Sequence, residues 1–186
     1  MTWRLTLNCF IPGKTILIDA SGWSDLLLGV VICALKPPDP MVMERRIPTL
    51  SFQPPNFKNK KYLHDAVNIA DEIVDVMKAD DQTCFKVCSE YVLSSLTIHL
   101  QNMGFTVEKV QSTGALGQMT ENAYERWCVE KGVPKEILQA KKRFRGSVEW
   151  VAENPHLREG LVKTGWASWE SKWREEVFKG KFQASQ

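Results

Sequence analysis

The first half of the chain alternates short apolar runs with turn-forming residues. The isoleucine-rich run at residues 15–20 has the length and composition of a buried strand, and a turn that contains Gly22 follows it. The longer apolar run at residues 26–35 ends at a proline-rich segment, so it can return beside the first run as a hairpin. The pattern therefore predicts three antiparallel strands, at residues 15–20, 26–35 and 41–44, the last of which extends in its longest form to residue 52.

The second half alternates helices with strands. Apolar residues at spacings of three and four predict a helix over residues 62–78, with one stripe formed by Leu63, Ala66, Val67, Ala70, Ile73, Val74 and Met77. Strands at 83–89 and 105–110 then flank a helix at 91–103, and a loop that includes Gly117 leads to a helix at 120–131. Because alternation of this kind implies parallel pairing, the sequence predicts an α/β fold with a five-stranded mixed sheet flanked by helices.

The last quarter of the chain is helical in pattern and basic in charge. Helices are predicted at about residues 135–145, 147–153, 155–163 and 166–178. Residues 1–134 carry 13 Lys/Arg and 15 Asp/Glu, a balance of −2, whereas residues 135–186 carry 11 and 7, a balance of +4. We therefore expect a core at residues 1–134 and a C-terminal helical extension at 135–186 that packs on the core or on a partner.

Apolar content and cysteine usage bear on the compartment. The longest apolar stretch, at residues 26–35, is about half of what a membrane-spanning helix needs. The N-terminal residues lack the long apolar core of a signal peptide. The five cysteines are odd in number and scattered within apolar runs, which favours reduced thiols. These features predict a cytoplasmic protein that has no membrane partner.

Two acids at the ends of apolar strands are the sharpest chemical signal. Asp19 closes the first strand and Glu90 follows the fourth. Burying an unpaired carboxylate is costly, so two of them on neighbouring strands suggest a shared divalent cation. Simpler interpretations exist for each residue. Asp19 before Ser-Gly suits a turn, and Glu90 before a helix suits the positive end of the helix dipole.

These residues resemble those of the ribonuclease-H-like superfamily, which includes RuvC-type resolvases and retroviral integrases. The motif I-D-A-S-G contains Asp19, and C-S-E contains Glu90. The Asp-x-x-Asp pattern of the late helix in the RuvC-type branch is absent here. The nearest acids are Glu149 and Glu153 in E-W-V-A-E, and the equally spaced alternative is the pair Glu121 and Glu125 in E-N-A-Y-E.

The resemblance implies a divalent-metal-dependent nuclease that hydrolyses phosphodiester bonds in structured DNA or RNA. It implies Mg²⁺ or Mn²⁺ as the cofactor, held by Asp19, Glu90, Glu149 and Glu153, which would also be the catalytic residues. The alternative is a non-catalytic nucleic-acid-binding or protein-assembly module on the same fold.

Two further patterns suggest partners. The basic run Lys141, Lys142, Arg143 and Arg145 has the composition of a phosphate-binding segment, although a solvated helix face would look the same. The stripe of Trp166, Trp169 and Trp173 predicts a docking face, either for the domain itself or for a second copy of the chain in a homodimer.

Overall fold

A computed structural model describes residues 13–111 and 113–179 of the 186-residue chain. The sheet of this part contains five strands, with the spatial order β3-β2-β1-β4-β5. They are β1 (Thr15–Ser21), β2 (Val30–Leu35), β3 (Val42–Ile47), β4 (Cys84–Cys88) and β5 (Thr106–Val110). The first three pair antiparallel, whereas β1, β4 and β5 run parallel. The predicted five-stranded mixed sheet is confirmed.

The register of β1 positions the first acid. Its parallel pairing with β4 ends at the pair Ile18↔Val87, whereas its antiparallel pairing with β2 continues to Ser21↔Val31. Asp19 therefore comes directly after the last residue of β1 that pairs with β4. Glu90 follows β4 at the same edge of the sheet, because parallel strands have their carboxyl ends on one side.

Helices cover both faces of the sheet. Seven α-helices lie in the described segments: α1 (Lys61–Val76), α2 (Ser94–Asn102), α3 (Ala115–Glu130), α4 (Lys135–Gln139), α5 (Arg143–Glu153), α6 (Pro155–Arg158) and α7 (Arg174–Phe178). Short 3₁₀ turns occupy Thr49–Phe52, Tyr91–Leu93 and Glu159–Leu161, and a π-helical turn spans Trp169–Trp173. Central strands covered on both sides are largely apolar, which is why β2 and residues 16–18 of β1 appear in the sequence as apolar runs.

Several predicted boundaries differ from the structure, among them that of the helix predicted at about 135–145, which ends at Gln139, so that Arg143 begins the next helix. The second strand begins at Val30 rather than at residue 26, because Leu28 has a positive φ of 57° and the preceding leucines leave the sheet. Leu28 instead donates its N–H to the carbonyl of Leu161. The helix α3 begins at Ala115, so Gly117 is helical rather than part of a loop. The predicted helix at 166–178 is divided into the π-helical turn and α7.

The described residues form two hydrophobic cores, and the second of them contains residues from both sides of residue 134. Trp127 and Cys128 of α3 are buried there together with Val148 and Val151 of α5 and with Trp169. The described C-terminal helices therefore share a core with α3 and the sheet. The division of the chain into two units at residue 134 stays a prediction.

Not every cysteine is a free thiol, although the sequence predicts that all five are reduced. Cys33, Cys88 and Cys128 are free, whereas Cys84 is in a disulfide. Cys9 lies outside the described residues. Because disulfides are typical of oxidising compartments, the cysteine pattern no longer supports the cytoplasmic prediction. None of the helices in the described segments is long and apolar enough to span a bilayer.

The tryptophan stripe packs mainly against other residues of the same chain. The side chain of Trp169 is fully buried, and its indole Nε1–H donates to Glu159 Oε1 at 3.3 Å. Trp173 is only partly buried, and its ring lies 5.5 Å from that of Phe144. The main apolar contact of the stripe is thus already made with the domain. A homodimer through this segment stays a prediction.

We expect Trp169→Ala to destabilise the protein by about 3–5 kcal/mol, because it leaves a large cavity in the second core. Thermal melts should show a fall in Tm of about 10 °C or more. Trp173→Ala is the matched control and should lose less than half as much. If Trp169→Ala instead left Tm unchanged and altered the molar mass by light scattering, the stripe would be an intermolecular interface.

Candidate active site

A cavity of about 790 Å³ opens where β1 and β4 end. Asp19 and Glu90 both line it, so the structure brings together the two acids that the sequence singled out. All four residues of the predicted basic run line it as well. The complete lining consists of residues 19–25, Cys88, Glu90, Gln111, Gly117, Glu121 and residues 141–145.

Asp19 is a strand residue with only 6% of its surface exposed. Since β1 continues to Ser21, the interpretation of Asp19 as a turn residue does not hold. Its Oδ1 accepts the N–H of Ala20 at 2.7 Å, and its Oδ2 accepts the hydroxyl of Thr113. The close approach of α3 requires a small residue at Gly117, where an added Cβ would lie 3.3 Å from Asp19 Oδ2.

Glu90 carries an unpartnered carboxylate oxygen. Its Oε2 is buried and has no hydrogen-bond partner among the described residues. Glu90 is the residue directly before the 3₁₀ turn Tyr91–Leu93, and its side chain makes no capping hydrogen bond to that turn. Burial, together with the negative charges of Asp19 and Glu121, raises the pKa of Glu90 to about 7. A cation beside Glu90 would relieve both effects.

A third acid of the cavity, Glu121 on α3, is already engaged. Its Oε1 accepts Arg143 Nη1 at 2.6 Å, and its Oε2 accepts the hydroxyl of Ser21. Arg143 Nε also lies 2.7 Å from Asp25 Oδ1, as an ion pair rather than an aligned hydrogen bond. The guanidinium of Arg143 is 5.1 Å above the Tyr124 ring. One arginine therefore links two acids on opposite sides of the cavity.

The loop after β1 is held by a lysine that the sequence did not single out. Lys163 is completely buried, and its Nζ donates to the carbonyls of Gly22 and, at 2.8 Å, of Asp25. Burial lowers the pKa of Lys163 to about 7, although the charge of Asp25 opposes this shift. Burial likewise raises the pKa of Asp25. Nothing in V-K-T distinguishes this lysine from a surface residue, so only the tertiary structure reveals it.

Glu149 and Glu153 lie apart from this cavity. The helix α5 buries Ser147, Val148, Trp150 and Val151, which leaves both glutamates on its solvent side. Glu149 pairs with Arg145 at 2.8 Å, and Glu153 pairs with Arg158 at 2.7 Å. The structure therefore does not bring them to Asp19 and Glu90. Of the alternative pair, Glu121 lines the cavity, whereas Glu125 lines a separate depression on α3.

The basic run is divided between the interior and the rim. Lys141 and Lys142 are exposed, and the Arg145 side chain is 66% exposed. Arg143 points inward, with 19% of its side chain exposed. Three cations thus remain at the rim of the cavity, while the fourth neutralises acids inside it.

The acids are arranged as a pair rather than as a complete metal cluster. Within residues 13–111 and 113–179, no group of three or more His, Cys, Asp or Glu side chains is arranged to hold a metal ion. Asp19 and Glu90 are the two carboxylates of the cavity that do not contact Arg143. Their oxygens suit a hard divalent cation, and the buried, unpartnered Oε2 of Glu90 supplies a ligand atom for it.

Comparisons with known proteins find similarity in structure but not in sequence. No protein-family model matches the chain, and no curated protein matches it in sequence. A solved structure of the catalytic core domain of BIV integrase is similar over 94% of this chain and 99% of that chain, with 10% identity and a TM-score of 0.37.

Replacing Glu90 by Gln should change the pH dependence of stability. The pKa of Glu90 rises from 4.5 to about 7 on folding, so the unfolded state releases its proton first as the pH rises. Stability should therefore fall between about pH 4.5 and 7. In EDTA, we expect Glu90→Gln to have nearly the wild-type Tm at pH 5 and to melt a few degrees higher at pH 8.

Glu149→Gln is the matched control for this measurement, because it alters an exposed ion pair on the same protein. It should show no gain at pH 8. An equal effect of Glu90→Gln at both pH values would mean that Glu90 is not desolvated in the folded protein.

Proposed function

We propose that this protein is a divalent-metal-dependent nuclease that hydrolyses phosphodiester bonds in structured DNA or RNA. The observation that carries the proposal is that Asp19 lines one cavity with Glu90, whose buried Oε2 has no hydrogen-bond partner among the described residues, and that the rim of this cavity is basic. The cavity volume lies within the range of roughly 300–1,000 Å³ that is typical of ligand-binding sites.

Asp19 and Glu90 would hold the cation, Mg²⁺ or Mn²⁺, through their carboxylate oxygens. When bound, such an ion lowers the pKa of a water molecule and stabilises charge on the phosphoryl and leaving oxygens. The chain contributes the fixed position of the acids. The hydroxyl of Thr113 and the N–H of Ala20 orient the Asp19 carboxylate, and low exposure keeps competing water away from it.

Lys141, Lys142 and Arg145 would bind the phosphates of the nucleic acid at the rim. Cations at the surface of a nucleic-acid site displace condensed counterions, so the affinity should fall as salt rises. Arg143 reaches further in, and its Nη2 finds no acceptor in the part of the chain that the structure describes.

A second candidate function is a nucleic-acid-binding module without catalysis. The incomplete ligand group and the engagement of Glu121 by Arg143 favour it. This candidate predicts salt-sensitive binding through the basic rim and no effect of metal ions. A protein-assembly role through the tryptophan stripe is less favoured, because Trp169 is already buried within the chain.

The proposal is tested by incubating the protein with four-way DNA junctions, RNA/DNA hybrids and hairpin RNA in about 5 mM Mg²⁺ or Mn²⁺. We expect wild-type cleavage of at least one substrate and losses of about 100-fold or more in Asp19→Asn and Glu90→Gln. Glu149→Gln should stay within about threefold of wild type, because its side chain lies away from the cavity.

The same substrates should be followed by fluorescence anisotropy in EDTA. Combined Lys141→Ala and Lys142→Ala should weaken binding and reduce its salt dependence by about two phosphate contacts. Salt-sensitive binding with no cleavage by wild type would favour the binding module. Equal cleavage by wild type and Asp19→Asn would contradict the proposed active site.

A further inference from the structure

Arg143 lines the cavity and contacts two of its acids, so it supplies positive charge that a second metal ion would otherwise provide. Four carboxylates line this cavity, those of Asp19, Asp25, Glu90 and Glu121. Such a concentration of negative charge is unstable without counter-charges. Arg143 supplies one of them from the first turn of α5, with a contact to Glu121 and another to Asp25.

Both carboxylate oxygens of Glu121 accept a hydrogen bond, as those of Asp19 do, but one of the two donors to Glu121 is a charged guanidinium. Arg143 Nη1 donates to its Oε1 at 2.6 Å, and the Ser21 hydroxyl donates to its Oε2. A metal ion at Glu121 would have to displace the charged guanidinium of Arg143 as well as the hydroxyl of Ser21. Asp19 and Glu90 make no contact with Arg143 that would prevent them from binding an ion.

The position of Arg143 is fixed by packing as well as by charge. Its guanidinium lies over the ring of Tyr124, which is fully buried and donates its hydroxyl to the carbonyl of Leu27 at 2.7 Å. A cation held between an aromatic face and two carboxylates is a preorganised part of the site rather than a mobile surface side chain.

We propose that the site binds one divalent ion, at Asp19 and Glu90, and that Arg143 takes the place of a second ion. This inference rests on the proposed function, because it requires that Asp19 and Glu90 bind a metal. Arg143 would then be a positioning residue for Glu121 and a fixed positive charge beside the phosphate.

The number of bound ions tests this directly. Mn²⁺ is titrated into the full chain, and the free ion is counted by its electron paramagnetic resonance signal. We expect one bound Mn²⁺ per chain in wild type, none in Asp19→Asn and two in Arg143→Gln. Arg145→Gln, which removes an exposed arginine from the same helix, should keep one.

Loss of Arg143 leaves Asp25 and Glu121 without their shared counter-charge, so a second variant keeps the test informative if the first unfolds. Arg143→Gln combined with Asp25→Asn removes one positive and one negative charge and frees Glu121. It should fold, as judged by circular dichroism, and should bind two ions. Two Mn²⁺ ions roughly 4 Å apart should also show mutual spectral broadening.

Two ions in wild type would overturn the role of Arg143 and leave the proposed nuclease intact. One ion in both wild type and the folded Arg143 variants would overturn it in the same way. Absence of any bound ion in wild type would remove the proposed function and this inference together.

Discussion

The repulsion between two carboxylates at the ends of adjacent parallel strands is the constraint on which the site depends. Parallel pairing of β1 with β4 aligns the two strand ends, so Asp19 and Glu90 reach the same cavity. Burial and the negative charge of Asp19 raise the pKa of Glu90 to about 7. A fold that keeps this unfavourable arrangement has a site ready for a positive charge.

The rest of the structure distributes positive charge around these acids unevenly. Lys163 holds the carbonyls of the loop after β1, and Arg143 links Asp25 with Glu121. Both cations come from the C-terminal part of the chain, which packs on the sheet through the second core. The C-terminal part therefore completes the cavity at the ends of β1 and β4. Its two cations contact Asp25, Glu121 and the loop carbonyls, which leaves the carboxylates of Asp19 and Glu90 as the acids of the cavity that neither cation contacts.

Central elements could be predicted from the sequence because burial on both faces makes their apolar runs continuous, as at residues 16–18 of β1. The three leucines at 26–28 were misassigned because a buried loop has the same apolar composition as a strand. The choice between Glu121 and Glu149 could not be made from spacing, since both begin the pattern E-x-x-x-E. Only the packing of α3 against β1, with Gly117 beside Asp19, decides which helix brings its acid to the cavity.

A double-mutant cycle on the metal-free protein tests the proximity of the two acids most directly. The free energies of unfolding of wild type, Asp19→Asn, Glu90→Gln and the double variant would be measured in EDTA at pH 8. The account predicts a coupling of about 0.5–2 kcal/mol, with the double variant less stable than the sum of the single effects, because the repulsion can be relieved only once. Additivity within about 0.3 kcal/mol would contradict a shared site at Asp19 and Glu90.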